Sequence, residues 1–115
     1  MLRGEIRLVN LDPAVGAEAN KRRPAVVVSN DRANTTAARL GRGVVTVVPV
    51  TSNVTVVYPF QVALASGESG LRVDSKAQAE QVRAVSVERV GPVLGRVPAT
   101  LMVALDDALR LHLHL

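Results

Sequence analysis

Short valine-rich runs, each ended by polar residues, glycine or proline, most limit the possible folds of this chain. In the clearest run, 44–50, every residue except Thr46 and Pro49 is valine. Valine is stiff about χ1 and packs well on a pleated surface, so such a run favours a strand over a helix. Further strands are predicted at 4–11, 24–29, 60–64 and 93–97, and one bent strand or two short ones at 75–87. The chain is therefore expected to be mainly β, as a small barrel or sandwich.

The last part of the sequence has helical spacing. After Pro98, a residue suited to a first helical turn, Leu101, Leu105 and Leu109 recur along one face. This pattern predicts an amphipathic C-terminal helix that covers an apolar surface. The expected architecture is a strongly curved antiparallel barrel capped by this helix.

The connections between these elements are polar. Residues 30–36 are rich in turn formers, and Gly67 and Gly70 predict a hairpin-like turn. Residues 12–22 are predicted to form a loop, and a loop this long in a small domain is usually functional or disordered. A chain of 115 residues with 48% hydrophobic residues suits one core, so residues 1–115 are expected to form a single domain.

The composition excludes several kinds of chemistry. The chain has no cysteine, which excludes disulfides, thiolate zinc sites and cysteine nucleophiles. Its two histidines, His112 and His114, lie at the end of the sequence, and no run has the spacing of a metal site, a P-loop or a serine hydrolase. No metal and no cofactor are therefore expected. Glu5 stands where a signal peptide would need apolar residues, and no run approaches the length of a membrane span, so a cytoplasmic protein is expected.

The charge of the chain points to a polyanionic partner. The formal net charge is +4, and many arginines fall in the first half of the sequence. Nucleic acid is the most obvious polyanion in a cell. A basic surface that is merely solvated explains the same charge, so both interpretations stay open here.

Two strand ends carry the candidate catalytic groups. Arg23 directly precedes the second predicted strand, and Thr51 directly follows the third. Cleavage of RNA by its own 2′-hydroxyl requires alignment of that oxygen with the phosphorus and stabilisation of charge on the phosphate. Arg23 is predicted to hold the phosphate and donate a proton to the leaving oxygen, with Thr51 hydrogen-bonded to a non-bridging oxygen. The alternative is a surface arginine and a turn-forming threonine.

Other residues near these ends are candidates for proton transfer and RNA binding. Glu18, in the long loop, is the nearest carboxylate that could activate the 2′-hydroxyl, since a guanidinium stays protonated. Base recognition is predicted to depend mainly on hydrogen bonds from loop groups, with one exposed aromatic ring; Phe60 is expected in the core instead. The predicted RNA-binding residues are Asn20, Lys21, Ser52, Asn53, Tyr58 and Gln81.

Eight short motifs together resemble the MazF/PemK toxin family. In chain order they are Arg3-Gly4-Glu5-Ile6, Leu11-Asp12-Pro13, Gly16-x-Glu18, Arg23-Pro24, Val26-Val27-Val28-Ser29-Asn30, Pro49-Val50-Thr51, Tyr58-Pro59-Phe60 and residues 78–83. The resemblance implies an SH3-like small barrel of the MazF/PemK/CcdB type. It also implies a homodimeric, sequence-specific, metal-independent endoribonuclease that cuts single-stranded RNA and leaves a 2′,3′-cyclic phosphate and a 5′-hydroxyl.

The resemblance also assigns roles. It implies that Arg23 and Thr51 are the catalytic pair and that Glu18 and Gln81 line the RNA site. It further implies a MazE-type antitoxin whose acidic, disordered C-terminal segment lies across the basic groove. The chain departs from the pattern at Arg7, where many relatives have an aromatic residue, and at Asn10, where an acidic residue is common.

Two alternatives belong to other functional classes. CcdB-like toxins share this barrel and are non-catalytic poisons of DNA gyrase, but they resemble one another in an aromatic-containing C-terminal tail. This chain ends in Leu111-His112-Leu113-His114-Leu115 and has no tryptophan, which favours the ribonuclease. A small barrel that binds nucleic acid without cutting it would require Arg23 and Thr51 to lie far apart.

Overall fold

Seven antiparallel strands form one sheet, and β3 and β2 lie at its centre. The computed structural model describes residues 1–115. The strands are β1 (Glu5–Asn10), β2 (Arg22–Val27), β3 (Val44–Thr51), β4 (Gln61–Leu64), β5 (Ser75–Gln78), β6 (Arg83–Ser86) and β7 (Val90–Arg96). The helices are α1 (Asp31–Leu40), α2 (Ser66–Ser69) and α3 (Ala99–Leu113), and short 3₁₀ turns span Ala79–Gln81 and Val87–Arg89. The strand order is β4-β5-β3-β2-β1-β7, with β6 also paired to β3.

Strand β3 connects the two parts of the sheet. It pairs with β2 on one edge, and on the other edge with β6 along its first half and with β5 at its end. Strand β1 lies between β2 and β7, and its register with β7 shifts on both sides of Arg7. Such irregularities bend and twist a sheet. The predicted strands are confirmed, and 75–87 forms two short strands separated by a 3₁₀ turn.

The valine-rich strands are buried on both faces. In β3, Val47 belongs to one apolar cluster and Val48 to the other, as the alternation of side chains across a strand requires. The cluster of Val48 includes Leu105 and Ala108 of α3, and the cluster of Val47 includes Ala37 of α1. Each face of the sheet is therefore covered by a helix, and continuous valine runs suit such a two-sided core.

The predicted C-terminal helix is present as α3. Leu105 and Ala108 are its buried residues, and Leu101 and Leu109 pack against the same cluster. Pro98 occupies the N-cap position, so it lies one residue before the first helical turn and not within it as predicted. None of the helices has both the length and the apolar character needed to cross a membrane.

The prediction of turns at 30–36 is wrong, because most of this segment belongs to α1. The Asn30 side chain accepts a hydrogen bond from the Ala33 backbone N–H at 2.9 Å and so caps the helix. Gly41 ends it in the left-handed conformation. Only Asn34 and Ala37 are buried, so the helix has no leucine or valine stripe that reveals it in the sequence.

Gly95 allows β7 to approach the turn between β4 and β5. These two strands pair as the predicted hairpin, and α2 lies within the connection. A Cβ atom added to Gly95 would lie 2.0 Å from the Ser69 carbonyl oxygen. This close backbone approach holds the segment after α2 beside Leu94, next to the ends of β2 and β3.

Candidate active site

Arg23 and Thr51 lie at one pocket, at neighbouring strand ends. Ala25 of β2 pairs with Pro49 of β3, and the same register extended by two residues sets Arg23 opposite Thr51. Both line a pocket of about 560 Å³. The structure therefore brings together the two residues that the sequence selects as a catalytic pair.

Asn20 orients the Arg23 guanidinium. Arg23 Nε donates to the Asn20 backbone carbonyl at 2.8 Å, and Nη2 donates to Asn20 Oδ1 at 2.9 Å. An arginine side chain carries five N–H donors, so three remain without a protein acceptor. Asn20 is predicted to bind RNA, but its side-chain oxygen is already engaged by Arg23.

The Thr51 hydroxyl is arranged to donate a hydrogen bond. Its Oγ1 accepts from the Asn53 backbone N–H at 3.2 Å, which leaves the hydroxyl proton for another acceptor. Ser52 is exposed and lines the same pocket. Asn53 is exposed too, and its Oδ1 accepts from the Thr55 backbone N–H at 3.3 Å.

Gln81 holds the loop that carries Glu18. Its Oε1 accepts from the Ala19 backbone N–H at 2.9 Å, and its Nε2 donates to the Ala17 carbonyl at 3.0 Å. The oxygen and the nitrogen of the Gln81 amide thus bind the backbone of the two residues that flank Glu18. Glu18 itself is exposed and does not line the pocket. The predicted RNA ligand Gln81 is, in this structure, a clamp on the loop.

Backbone and side-chain contacts also fix the two ends of this loop. Arg83 Nη1 donates to the Leu11 carbonyl at 3.0 Å, and Arg89 donates to the Asp12 carbonyl. The Lys21 backbone N–H donates to Asp12 Oδ1 at 2.8 Å, and Lys21 has a left-handed φ of 64°. The Lys21 side chain is exposed at the loop end that leads to Arg23. The long loop is therefore anchored at both ends and near its middle.

The segment between β3 and β4 presents the predicted aromatic residue. Tyr58 is 50% exposed, and its ring lies nearly parallel to that of Phe60, with the centroids 5.4 Å apart. Phe60, predicted to be in the core, is only partly buried and stacks on Tyr58 instead. Tyr58 does not line the pocket that contains Arg23 and Thr51.

Arg72 is a pocket residue that the sequence does not reveal. It is exposed in the turn between α2 and β5, and it lines the same pocket as Arg23. No local pattern separates it from an ordinary surface arginine, because the close approach at Gly95 brings its turn to the site. Leu71, Val73 and Leu94 form the apolar part of the wall.

The pocket carries positive charge without a paired carboxylate. The three ion pairs of the chain join Arg3 to Asp106, Arg7 to Glu5 and Arg110 to Asp107, all outside the pocket. Arg23 and Arg72 therefore face it uncompensated. No three histidine, aspartate or glutamate side chains gather anywhere in the chain as a metal site would require. Guanidinium groups beside hydroxyls are suited to a phosphate.

Comparison with known proteins identifies the family. A family model described as "PemK-like, MazF-like toxin of type II toxin-antitoxin system" matches residues 2–113. The chain belongs to this toxin family. The resemblance seen in the eight sequence motifs is thus confirmed. This PemK/MazF-type toxin is 64% identical to endoribonuclease MazF9 of Mycobacterium tuberculosis over 115 residues, which cover 100% of the toxin and 98% of MazF9.

Solved structures confirm the fold of this PemK/MazF-type toxin. MazF from Deinococcus radiodurans matches it with a TM-score of 0.78 and 26% identity, over 100% of the toxin and 97% of that chain. A mycobacterial endoribonuclease in complex with its cognate antitoxin matches with a TM-score of 0.77 and 23% identity, over 100% and 96%. The predicted barrel-type fold, mainly β with a C-terminal helix, is therefore correct.

Proposed function

We propose that this toxin is a sequence-specific endoribonuclease that cleaves single-stranded RNA through its own 2′-hydroxyl group. The observation that carries the proposal is the shared pocket of Arg23 and Thr51. Family membership and the similarity to endoribonuclease MazF9 support it. The same observations favour RNA cleavage over the alternative of a non-catalytic gyrase poison.

The proposed reaction is an in-line displacement at phosphorus. The 2′-oxygen attacks and loses its proton, the bond from phosphorus to the 5′-oxygen breaks, and that oxygen gains a proton. The products are a 2′,3′-cyclic phosphate and a 5′-hydroxyl. The free N–H groups of Arg23 hold the charged non-bridging oxygens and supply the proton to the leaving oxygen, and the Thr51 hydroxyl donates to a non-bridging oxygen.

The remaining predicted residues act around this pair. Glu18 is the proposed acceptor of the 2′-hydroxyl proton, and its loop is fixed by the Gln81 clamp. Asn20 orients Arg23, and Arg72 adds a second cation for a phosphate. The proposed contacts to RNA outside the scissile phosphate come from Lys21, Ser52, Asn53 and Tyr58.

The proposed chemistry requires no metal ion. Guanidinium groups are positively charged at neutral pH, so Arg23 and Arg72 can stabilise the charge on the phosphate oxygens during attack. The substrate supplies the nucleophile. Cleavage is therefore expected to continue when divalent ions are chelated.

An acidic antitoxin of the MazE type is the proposed regulator. A net charge of +4 and two arginines without carboxylate partners favour an acidic segment across the site. One similar endoribonuclease is known in complex with its cognate antitoxin. We further propose that residues 1–115 form one toxin domain, which acts in the cytoplasm as a homodimer.

The test is cleavage of a long single-stranded RNA in EDTA, followed by mapping of the 5′-hydroxyl ends. The native chain is expected to cut at a few short sites and to leave DNA of the same sequence intact, because DNA has no 2′-hydroxyl. Arg23→Ala and Thr51→Ala are each expected to lower kcat by about a hundredfold or more, the scale of losing a donor to a developing charge.

Arg22→Ala is the matched control, because Arg22 is the neighbouring exposed arginine of β2 and lines a different pocket. It removes the same charge and is expected to leave kcat nearly unchanged. Intact RNA with the native chain, or equal losses in Arg22→Ala and Arg23→Ala, would contradict the proposal.

A further inference from the structure

Lys76 is a buried lysine beside the proposed active site, and its ammonium group has no carboxylate partner. It is 7% exposed and lies in β5, directly opposite Thr51 of β3. None of the ion pairs of the chain includes it. Lysine is almost never this buried without a pair, since burial of a charge is costly. The Lys76 ammonium therefore calls for a specific partner.

Its partners both belong to the segment between β3 and β4, residues 52–60. Lys76 Nζ donates to the Val56 carbonyl at 2.6 Å and lies 5.7 Å from the centroid of the Tyr58 ring. A cation near a ring face is attracted by the π electrons, more strongly where water is excluded. One ammonium group thus holds a backbone carbonyl and an aromatic ring of the same segment.

Little else fixes the middle of this segment. Its residues Val54, Val56 and Val57 are all exposed, and none of residues 52–60 belongs to the two apolar clusters. Its ends are held by the Asn53 N–H on Thr51 and by the Tyr58 N–H, which donates to Gln61 Oε1 at 3.1 Å. The Lys76 contact to Val56 lies between these two anchors.

We propose that Lys76 is a positioning residue for RNA cleavage, which fixes segment 52–60 and Tyr58 relative to Thr51. The inference rests on the proposed function, because it assigns a role within the same site. Lys76 acts through the segment and not on the RNA, since the residue is only 7% exposed and its ammonium group already donates to the Val56 carbonyl. A direct phosphate ligand would have to be accessible.

Tyrosine fluorescence tests the contact without any activity. Tyr58 is the one tyrosine of the chain, and there is no tryptophan, so the intrinsic emission reports on its ring alone. Lys76→Met removes the ammonium group and keeps the apolar stem. We expect a changed Tyr58 emission in Lys76→Met and a native emission in Lys76→Arg, which keeps the cation. Arg42→Met, at an exposed arginine beside α1, is the control and should leave the emission unchanged.

The cleavage assay then tests the role. Lys76→Met is expected to lower kcat roughly tenfold to a hundredfold, the scale of a small misplacement of reacting groups, and to relax the choice of cut sites. Lys76→Arg should restore most of the rate and the native sites. If Lys76→Met does not fold, Lys76→Gln takes its place, because it retains an N–H donor but lacks the charge.

The possible outcomes are distinct. Unchanged emission in the Met variant overturns the proposed contact. Changed emission with native cleavage overturns the role in positioning. Weaker RNA binding at all sequences alike, with native emission, identifies Lys76 as a direct phosphate ligand and also overturns the inference. Failure of the proposed function itself is seen separately, as intact RNA with the native chain.

Discussion

The Arg23 guanidinium is oriented from one side and open on the other. Asn20 accepts hydrogen bonds from two of its N–H groups, one at the backbone carbonyl oxygen and one at the side-chain oxygen. A substitution at position 20 leaves the backbone carbonyl in place, whereas the side-chain contact depends on which residue replaces asparagine. The two contributions can therefore be separated by variants at a single residue.

Asn20→Ala is expected to lower kcat about tenfold, which corresponds to about 1.4 kcal/mol of lost transition-state stabilisation. It removes the oxygen that accepts from Arg23 Nη2 and leaves the carbonyl contact in place. Asn20→Asp keeps an acceptor there but adds a negative charge beside Arg23, where a phosphate must bind. The kcat of Asn20→Asp should therefore fall further than that of Asn20→Ala. Rates are measured on an RNA with one cut site, and native activity in Asn20→Asp would contradict the proposed role of Arg23.

The turn after α2 and strand β7 form one wall of the pocket through a backbone contact. At Gly95 the Ser69 carbonyl lies where a Cβ atom would be, so β7 and the turn approach more closely than side chains allow. Leu71, Arg72 and Leu94 owe their shared position at the pocket to this contact. The contact between β7 and this turn therefore shapes the pocket, although neither Gly95 nor Ser69 takes part in the proposed reaction.

Gly95→Ala is expected to destabilise the fold by about 3 kcal/mol, the upper end for overpacking. The added methyl group would lie 2.0 Å from the Ser69 oxygen, so the turn must move. Gly67→Ala is the matched control, because no atom lies within 4 Å of its added Cβ, and it should change stability by less than about 1 kcal/mol. Urea unfolding measures both values. Similar midpoints for the two variants would show that the contact has no such cost.

The sequence predicted those elements whose pattern is local. Valine runs gave the strands and leucine spacing gave α3, since both patterns follow from burial on one or two faces. Helix α1 shows no such pattern, because only Asn34 and Ala37 of it are buried, although its cap residues Asn30 and Gly41 mark its two ends. Cap signals deserve equal weight with periodicity in a short surface helix.

The site was predictable only as far as its strand ends. Arg23 and Thr51 could be selected because each adjoins a clear strand. The use of Gln81 as a loop clamp and the approach of Arg72 depend on contacts between distant parts of the chain. Such contacts follow from the pairing of the strands in the folded sheet, which no local sequence pattern around Gln81 or Arg72 reveals.

At the scale of the whole molecule, apolar side chains remain exposed on β7 and α3. They include Val93, Val103, Leu111 and Leu113. Exposed apolar side chains such as these can be covered by association with another chain. A second copy of the chain, related by a two-fold axis, is the partner that the proposed homodimer requires.

Light scattering at micromolar concentration is expected to give twice the 12.2 kDa mass of one chain. The reason is that a chain this short leaves apolar surface that a symmetric partner can cover. Dilution should release the single chain at a defined concentration. A mass of one chain throughout the micromolar range would rule out the homodimer.

The position of β1 has a consequence for how the toxin is made. β1 pairs with both β2 and β7, and Ile6 shares a core with Leu105 and Ala108 of α3. A ribosome adds roughly 5–20 residues per second from the N-terminus, so β1 emerges seconds before its second partner exists. Pairing between such distant segments is also slow to form. β1 therefore stays without its β7 partner and without the α3 side chains of its core until these later segments have emerged, so the native sheet is completed only after most of the chain has been made.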